Sequence, residues 1–205
     1  MAETSAATPA AERRLTVDEW AELPEDDAGE LVDGVVVEEE MADLVHEAVV
    51  MWLIGVLRPW LRARKGRLYG SEVKLAIARR RGRKADLVAW FPGHPPLPPR
   101  GPVDVPPDVA IEVVSPRPAD ARRDRLDKSA DYAAFGVRWY WIVDPQLRSV
   151  EVFELGPDGR YARALGASSG TVEAVPGFAD LVLDLDALWA EVDETAGGEP
   201  AASTP

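Results

Sequence analysis

Two short apolar segments, residues 85–91 and 109–114, each contain a single acidic residue. Nearly continuous apolar runs of this length are typical of strands that are buried on both faces of a sheet. Asp86 lies near the start of the first segment and Glu112 lies in the middle of the second. A buried carboxylate without a partner costs several kcal/mol, so both acids need a cation, a hydrogen-bond network or solvent at a strand end.

The N-terminal part of the chain predicts two helices and a hairpin. Thr16 and Glu19 have the spacing of a capping box, which predicts a short helix that ends near residue 23. Residues 31–38 place Asp-Gly between β-branched residues, which indicates a tight hairpin or a bulged strand. Residues 43–63 carry apolar side chains at helical spacing, and Pro59 should kink this helix or end its regular part.

The middle of the chain predicts a strand at residues 69–78, followed by the two apolar strands with their acids. Eight prolines lie between positions 92 and 107, so this segment should be an exposed, stiff loop that does not join the sheet. A ligand for a proline-recognising partner is the alternative reading of the loop.

The C-terminal part predicts a charged helix, a buried strand, a hairpin and a short last helix, at residues 120–135, 139–143, 150–164 and 186–192. The order helix, three strands, helix, strand predicts an α/β fold. The length of 205 residues favours a single domain, which we place at residues 15–194. Residues 1–14 are expected to be a flexible leader and residues 195–205 a disordered tail.

Composition limits the possible chemistry. The absence of cysteine excludes disulfides and thiolate metal sites, which leaves hard cations such as Mg²⁺ or Mn²⁺. The net charge of −13 argues against a protein that coats nucleic acid. Residues 58–84 nevertheless contain eleven Lys or Arg residues and residues 117–128 contain five more, out of 23. These stretches are either a surface for phosphates or solvated faces.

No secretory signal or bilayer-spanning segment is evident, because the first residues lack an apolar run and the longest such run has about ten residues. We therefore expect a cytoplasmic protein without a membrane partner.

The two acids are candidate metal ligands. If their strands are neighbours, Asp86 and Glu112 can reach one Mg²⁺ or Mn²⁺, and the carbonyl of Val113 could complete the set. The alternative is that the acids pair with arginines such as Arg83 or Arg138.

Lys128 is the third candidate. Asp124, Lys128 and Tyr132 are spaced by four residues and should share one face of the helix that follows the Glu112 strand. Lys128 is then either half of a surface ion pair with Asp124 or a cation that leans over the metal site.

A series of motifs in fixed order resembles the Uma-type putative restriction endonuclease family of the PD-(D/E)XK nuclease superfamily. The motifs are LTVDEW, ELVDG, ADLV, EVVSP, DxxxKxxxY and GVRWYWIVDP, followed by a hairpin, and they run from Leu15 to Trp189. The resemblance implies a restriction-endonuclease-like core, in which helices flank a central mixed β-sheet. An N-terminal helix and hairpin and a C-terminal β-hairpin complete the expected fold.

The resemblance also implies roles for single residues. Asp86 and Glu112 match the two acids of the motif, and Lys128 matches a lysine that is displaced onto the next helix. Ala85 stands where the family usually has proline, and Val114 stands where the motif lysine is expected. Accessory positions that recur in the family are Glu30, His46, Ser115, Asp124 and Tyr132. As a lone histidine, His46 is read here as a hydrogen-bonded structural residue in preference to a base.

The leading hypothesis is a Mg²⁺- or Mn²⁺-dependent endonuclease that acts on DNA. The second is a catalytically inactive nuclease fold that binds nucleic acid or a protein, and a third is an unrelated metal hydrolase with a small substrate. A homodimer is expected only by analogy with nucleases that cut both strands.

Overall fold

The computed structural model describes residues 14–24, 29–37, 42–116 and 123–197. Within these ranges the helices are α1 (Val17–Ala21), α2 (Leu44–Ala63), α3 (Ser129–Phe135), which a π-helical turn (Arg123–Lys128) precedes, and α4 (Leu185–Thr195). The strands are β1 (Glu30–Val32), β2 (Val35–Val37), β3 (Arg67–Gly70), β4 (Leu75–Ala78), β5 (Arg81–Arg83), β6 (Leu87–Trp90), β7 (Val109–Val113), β8 (Trp139–Asp144), β9 (Ser149–Leu155), β10 (Tyr161–Ala167), β11 (Thr171–Val172) and β12 (Leu183–Asp184).

The central sheet has six strands in the order β10-β9-β8-β7-β6-β3. β7 and β8 are parallel, and the other neighbours are antiparallel. The parallel pair requires a crossover, and the segment that contains α3 provides it. The predicted α/β fold with a central mixed sheet flanked by helices is therefore confirmed.

Alternate residues of β7 face two different cores, which explains why the strand is apolar apart from Glu112. Val109, Ile111 and Val113 belong to a cluster that includes side chains of α2 and α4. Ala110 belongs to a second cluster that includes Tyr132 of α3. Glu112 has the same parity as Ala110, so the period of two places its carboxylate on the α3 side.

A smaller sheet in the order β2-β1-β5-β4 brings the N-terminal hairpin beside the central sheet. Thr16 forms the predicted capping box with Glu19 at the start of α1. Asp33 and Gly34 form the predicted hairpin turn with φ values of 51° and 82°, which suit a two-residue turn between twisted strands.

Three expectations about the middle of the chain were wrong. The strand predicted at 69–78 is two strands, because residues 71–74 form a turn and its continuation between β3 and β4. The strand β5 has the sequence RGR, which carries no apolar signal and was missed. The proline-rich loop does contact the smaller sheet, because Val103 pairs with Leu75 as a parallel bridge.

The long helix α2 continues through Pro59 to Ala63, so the proline does not end it. Pro59 is exposed, which lets water bond the carbonyl that lacks a helical partner. Lys65 takes the left-handed conformation after the helix, with φ of 63°, and Gly66 follows it. Among the described helices, α2 is long and apolar enough to cross a bilayer by length and composition. Its side chains Val49, Leu53, Leu57 and Leu61 are buried against the sheet, as in a core helix.

The C-terminal predictions agree with the structure. The hairpin β9–β10 and the helix α4 lie where they were expected. Thr195 is the last residue of α4, so the helix enters the predicted tail; the rest of that tail from residue 198, like the leader up to residue 13, lies outside the described residues.

Candidate active site

The two predicted acids lie at the same end of the central sheet. Asp86 was expected just inside its strand, but it occupies a bend one residue before β6 begins. Glu112 lies within β7, as expected. Leu87 pairs with Ile111 in the antiparallel ladder, so the next position of the same register places Asp86 opposite Glu112. The Oδ2 atom of Asp86 accepts a hydrogen bond of 2.7 Å from the amide of Val113, the neighbour of Glu112.

Glu112 is buried and bonded to two side chains that follow β7 in sequence. Lys128 Nζ donates to Glu112 Oε2 at 2.8 Å, and Tyr132 Oη donates to Glu112 Oε1 at 2.7 Å. Burial raises the pKa of Tyr132 well above its usual value, and the negative charge of Glu112 raises it further. The phenol therefore stays a donor at neutral pH. Lys128 is only 7% exposed, so its reading as half of a surface pair is wrong.

Glu30 joins the same cluster from the N-terminal hairpin. Its Oε1 atom lies 3.5 Å from Lys128 Nζ and accepts a 2.9 Å bond from the amide of Lys84. Its Oε2 atom accepts a 2.6 Å bond from Arg83 Nη1. The ammonium of Lys128 thus lies between two buried carboxylates, those of Glu30 and Glu112.

Arg83 and Asp131 are site-supporting residues that the sequence did not reveal as such. Arg83 Nε donates to Asp131 Oδ2 at 2.7 Å, and Arg83 itself is 1% exposed. Burial acts to lower the pKa of Arg83, but the charges of Glu30 and Asp131 outweigh it and raise the pKa. The arginine therefore remains charged and ties β1 to α3, the helix that carries Tyr132.

The sequence had proposed Arg83 or Arg138 as partners for the two acids. Among the contacts described, Arg83 instead pairs with Glu30 and Asp131, and Arg138 pairs with Glu154 at 3.1 Å.

His46 contacts Asp86 from the first turn of α2. Its Nε2 atom lies 3.2 Å from Asp86 Oδ2, while its Nδ1 atom is buried without a hydrogen-bond partner. Burial acts to lower the pKa of His46, but the hydrogen bond and charge of Asp86 outweigh it and raise the pKa. The expected hydrogen-bonded role of His46 thus has a specific partner, which is a candidate metal ligand.

Ser115 and Asp124 are the remaining accessory residues, and only the side chain of Ser115 is among those described. Ser115 is half-buried just after β7 and makes no hydrogen bond with another described residue. The side chain of Asp124 lies outside the described residues, as do residues 117–122.

Asp86 and Glu112 are the acids that could hold a divalent cation. The side chain of Asp86 is 19% exposed, and its Oδ1 atom accepts no hydrogen bond within the described part of the chain. The same residues contain no cluster of three or more His, Asp and Glu side chains that could enclose a metal. Mg²⁺ often takes only one or two carboxylates and keeps several waters. The donor set therefore fits an open, hydrated site and does not fit a closed cage.

The six-stranded mixed sheet, the helices on both faces and the acids at one end define a nuclease-type α/β domain of the restriction-endonuclease-like class. The family model described as "Uma2: Putative restriction endonuclease" matches residues 16–186, and the chain belongs to this family.

A solved structure with a similar fold is that of a protein from Anabaena variabilis, described as a putative nuclease belonging to DUF820. The two chains are 21% identical, the match covers 87% of this chain and 99% of that chain, and the TM-score is 0.69. At this identity the likeness shows the fold. A comparison with curated proteins found no match.

Proposed function

We propose that this protein is a Mg²⁺- or Mn²⁺-dependent endonuclease that hydrolyses phosphodiester bonds in DNA. The observation that carries the proposal is the placement of Asp86 and Glu112 at one end of adjacent strands, with the buried ammonium of Lys128 on Glu112. Membership of a family of putative restriction endonucleases supports the same reaction class.

In this proposal Asp86 and Glu112 hold the cation, with the carbonyl of Val113 as a further ligand. The bound ion would supply Lewis acidity toward the phosphate and lower the pKa of a coordinated water. Lys128 holds the carboxylate of Glu112 in one orientation, and its positive charge would offset negative charge that develops on the phosphate. Tyr132 fixes the second oxygen of Glu112. His46 holds the carboxylate of Asp86 in one orientation, as ligand-orienting residues around metals do.

Several of the basic residues between positions 58 and 84 are already engaged within the protein. Arg81, Arg83 and Lys84 are engaged in ion pairs with acids of the protein. Arg79 and Arg80 are exposed in the turn between β4 and β5 and form no ion pair within the described residues. We propose these two arginines as phosphate contacts, and their removal should weaken DNA binding and reduce its dependence on salt.

Cleavage of supercoiled plasmid and of single-stranded DNA tests the proposal. The native protein should cut in the presence of Mg²⁺ or Mn²⁺ and not in EDTA. Asp86→Asn keeps the shape of the side chain but removes its charge, and should abolish cleavage. Asp104→Asn makes the same change at an exposed position of the proline-rich loop and should retain activity. Full activity of Asp86→Asn would overturn the proposed role of Asp86.

Lys128→Met tests the displaced lysine. Because this change removes the ammonium that bonds the buried carboxylate of Glu112, the folding of the variant must be checked by circular dichroism. A folded variant that binds DNA normally but no longer cleaves it is the expected result. Native rates in the folded variant would contradict a role for Lys128 in the reaction.

A second candidate function is a catalytically inactive nuclease fold that binds nucleic acid or a protein. The observation that favours it is that a side chain of the protein bonds each oxygen of Glu112, Lys128 on Oε2 and Tyr132 on Oε1. Under this reading the protein binds DNA with the same affinity in EDTA and in Mg²⁺, and no metal supports cleavage. Metal-dependent cleavage that Asp86→Asn abolishes would exclude it.

A further inference from the structure

The outward face of α2 carries an apolar stripe that the described residues leave uncovered. Leu44 and Met51 are 77% and 60% exposed, and a Cβ atom added to Gly55 would meet no atom within 4 Å. Leu53 and Leu57 of the same helix are buried in the core on the opposite side. One side of the helix is therefore packed in the core, and the opposite side exposes two large apolar side chains and a glycine.

The two ends of this stripe carry opposite charges. Glu47 is exposed in the first turn of α2, and its only described ion contact is a 3.9 Å approach to His46. Arg58 and Arg62 are exposed near the end of the helix and form no ion pair with other described residues. Positions 47, 51, 55, 58 and 62 are three or four residues apart, so they form one continuous line along the helix. This line runs from acidic through apolar to basic.

We propose that this face binds a second copy of the chain, with the two α2 helices antiparallel about a twofold axis between residues 52 and 53. A surface that pairs with itself must be complementary under that rotation. The rotation places Glu47 opposite the second copy's Arg58, and it repeats this pair on the other side of the axis. It also brings the side chain of Met51 against Gly55 of the second copy, where no side chain fills the space.

A lipid bilayer is the other occupant that an apolar helix of this length suggests. Burial of Leu53 and Leu57 commits one side of α2 to the core, so the helix cannot leave the domain without exposing that core. A helix face about 30 Å long and about 10 Å wide has an area of roughly 300 Å², which is smaller than the roughly 800 Å² per partner of a standard interface. The structure thus favours a weak, concentration-dependent dimer.

Sedimentation velocity of the full chain, from low to high micromolar concentration, tests the proposal by charge reversal. Glu47→Arg and Arg58→Glu each place like charges together and should raise the dimer dissociation constant roughly tenfold. The double variant restores opposite charges with their signs exchanged, so its dissociation constant should return close to the native value. A mixture of the two single variants should associate more strongly than either alone.

Matched controls make the same changes away from α2. Glu173→Arg and Arg160→Glu are exposed and should leave the dissociation constant unchanged. A Cβ atom at Gly55 would meet no atom within 4 Å, so Gly55→Gln should keep the fold and abolish dimerisation.

A native protein that stays monomeric throughout would overturn the proposal, as would binding to phosphatidylserine vesicles in place of self-association. A dimer that the double variant fails to restore would refute the antiparallel register.

Discussion

Substitution of Arg83 tests whether the buried ion pairs beside the candidate site stabilise the fold. Its guanidinium bonds Glu30 at 2.6 Å and Asp131 at 2.7 Å, and the exposed fractions of these two side chains are 2% and 11%. Arg83→Met keeps most of the length of the side chain and removes its charge. The buried carboxylates of Glu30 and Asp131 then lose the guanidinium that pairs with both of them.

The expected loss of stability follows from the partners that remain. Removing one partner of a buried ion pair costs about 3–5 kcal/mol. Asp131 keeps Arg81 at 3.1 Å, and Glu30 keeps the Lys84 amide at 2.9 Å. We therefore expect the lower end, about 3 kcal/mol, which lowers the melting temperature by roughly 6–12 °C for a domain of this size.

Urea unfolding and calorimetry measure this loss. Arg138→Met is the matched control, because Arg138 pairs with Glu154 at 3.1 Å but is 65% exposed. Removing such a surface pair should cost about 1 kcal/mol or less. A loss for Arg83→Met no larger than for the control would refute the reasoning that the buried network holds β1 and α3 together.

Three further substitutions should lower the free energy of unfolding in urea. Tyr132→Phe leaves a buried oxygen of Glu112 without its donor and should cost about 1.5–3 kcal/mol. Gly82→Ala would place a Cβ 2.2 Å from the buried ring of Trp20, and this overpacking between α1 and β5 should cost about 1–3 kcal/mol. Thr16→Ala removes the side-chain cap of α1 and should cost about 1 kcal/mol. A variant with the native midpoint and slope would show that its contact contributes nothing.

Local patterns explain which elements could be predicted from the sequence. The capping box at Thr16, the Asp-Gly turn after β1 and the helical spacing of α2 are each decided within a few residues. The run that contains Glu112 is buried on both faces, as its apolar neighbours indicated. In each case the same residues give the signal and form the structure.

The elements that were missed depend on contacts between distant parts of the chain. β5 is a strand of arginines and glycine because it lies between β1 and β4, where Arg83 meets Glu30 from 53 residues away. The bridge of Val103 to Leu75 likewise depends on the position of β4. No local propensity reports such pairings.

The candidate site likewise has one part that local sequence predicts and one part that it does not. Glu112, Lys128 and Tyr132 lie within 20 residues of each other, and a strand followed by a helix brings them together. Asp131 was overlooked because a charged residue on a helix with many charges is normally expected to face solvent. Its position three residues after Lys128 was the available signal, since such residues are neighbours on a helix.

Calorimetric titration with Mn²⁺ tests the central claim most directly, because it reports the metal site without requiring the correct DNA substrate. The native protein and Asp104→Asn should bind the ion with the same affinity, and Asp86→Asn should lose binding while it remains folded by circular dichroism. Absence of Mn²⁺ binding by the folded native protein, or equal binding by Asp86→Asn, would contradict a metal site at Asp86 and Glu112.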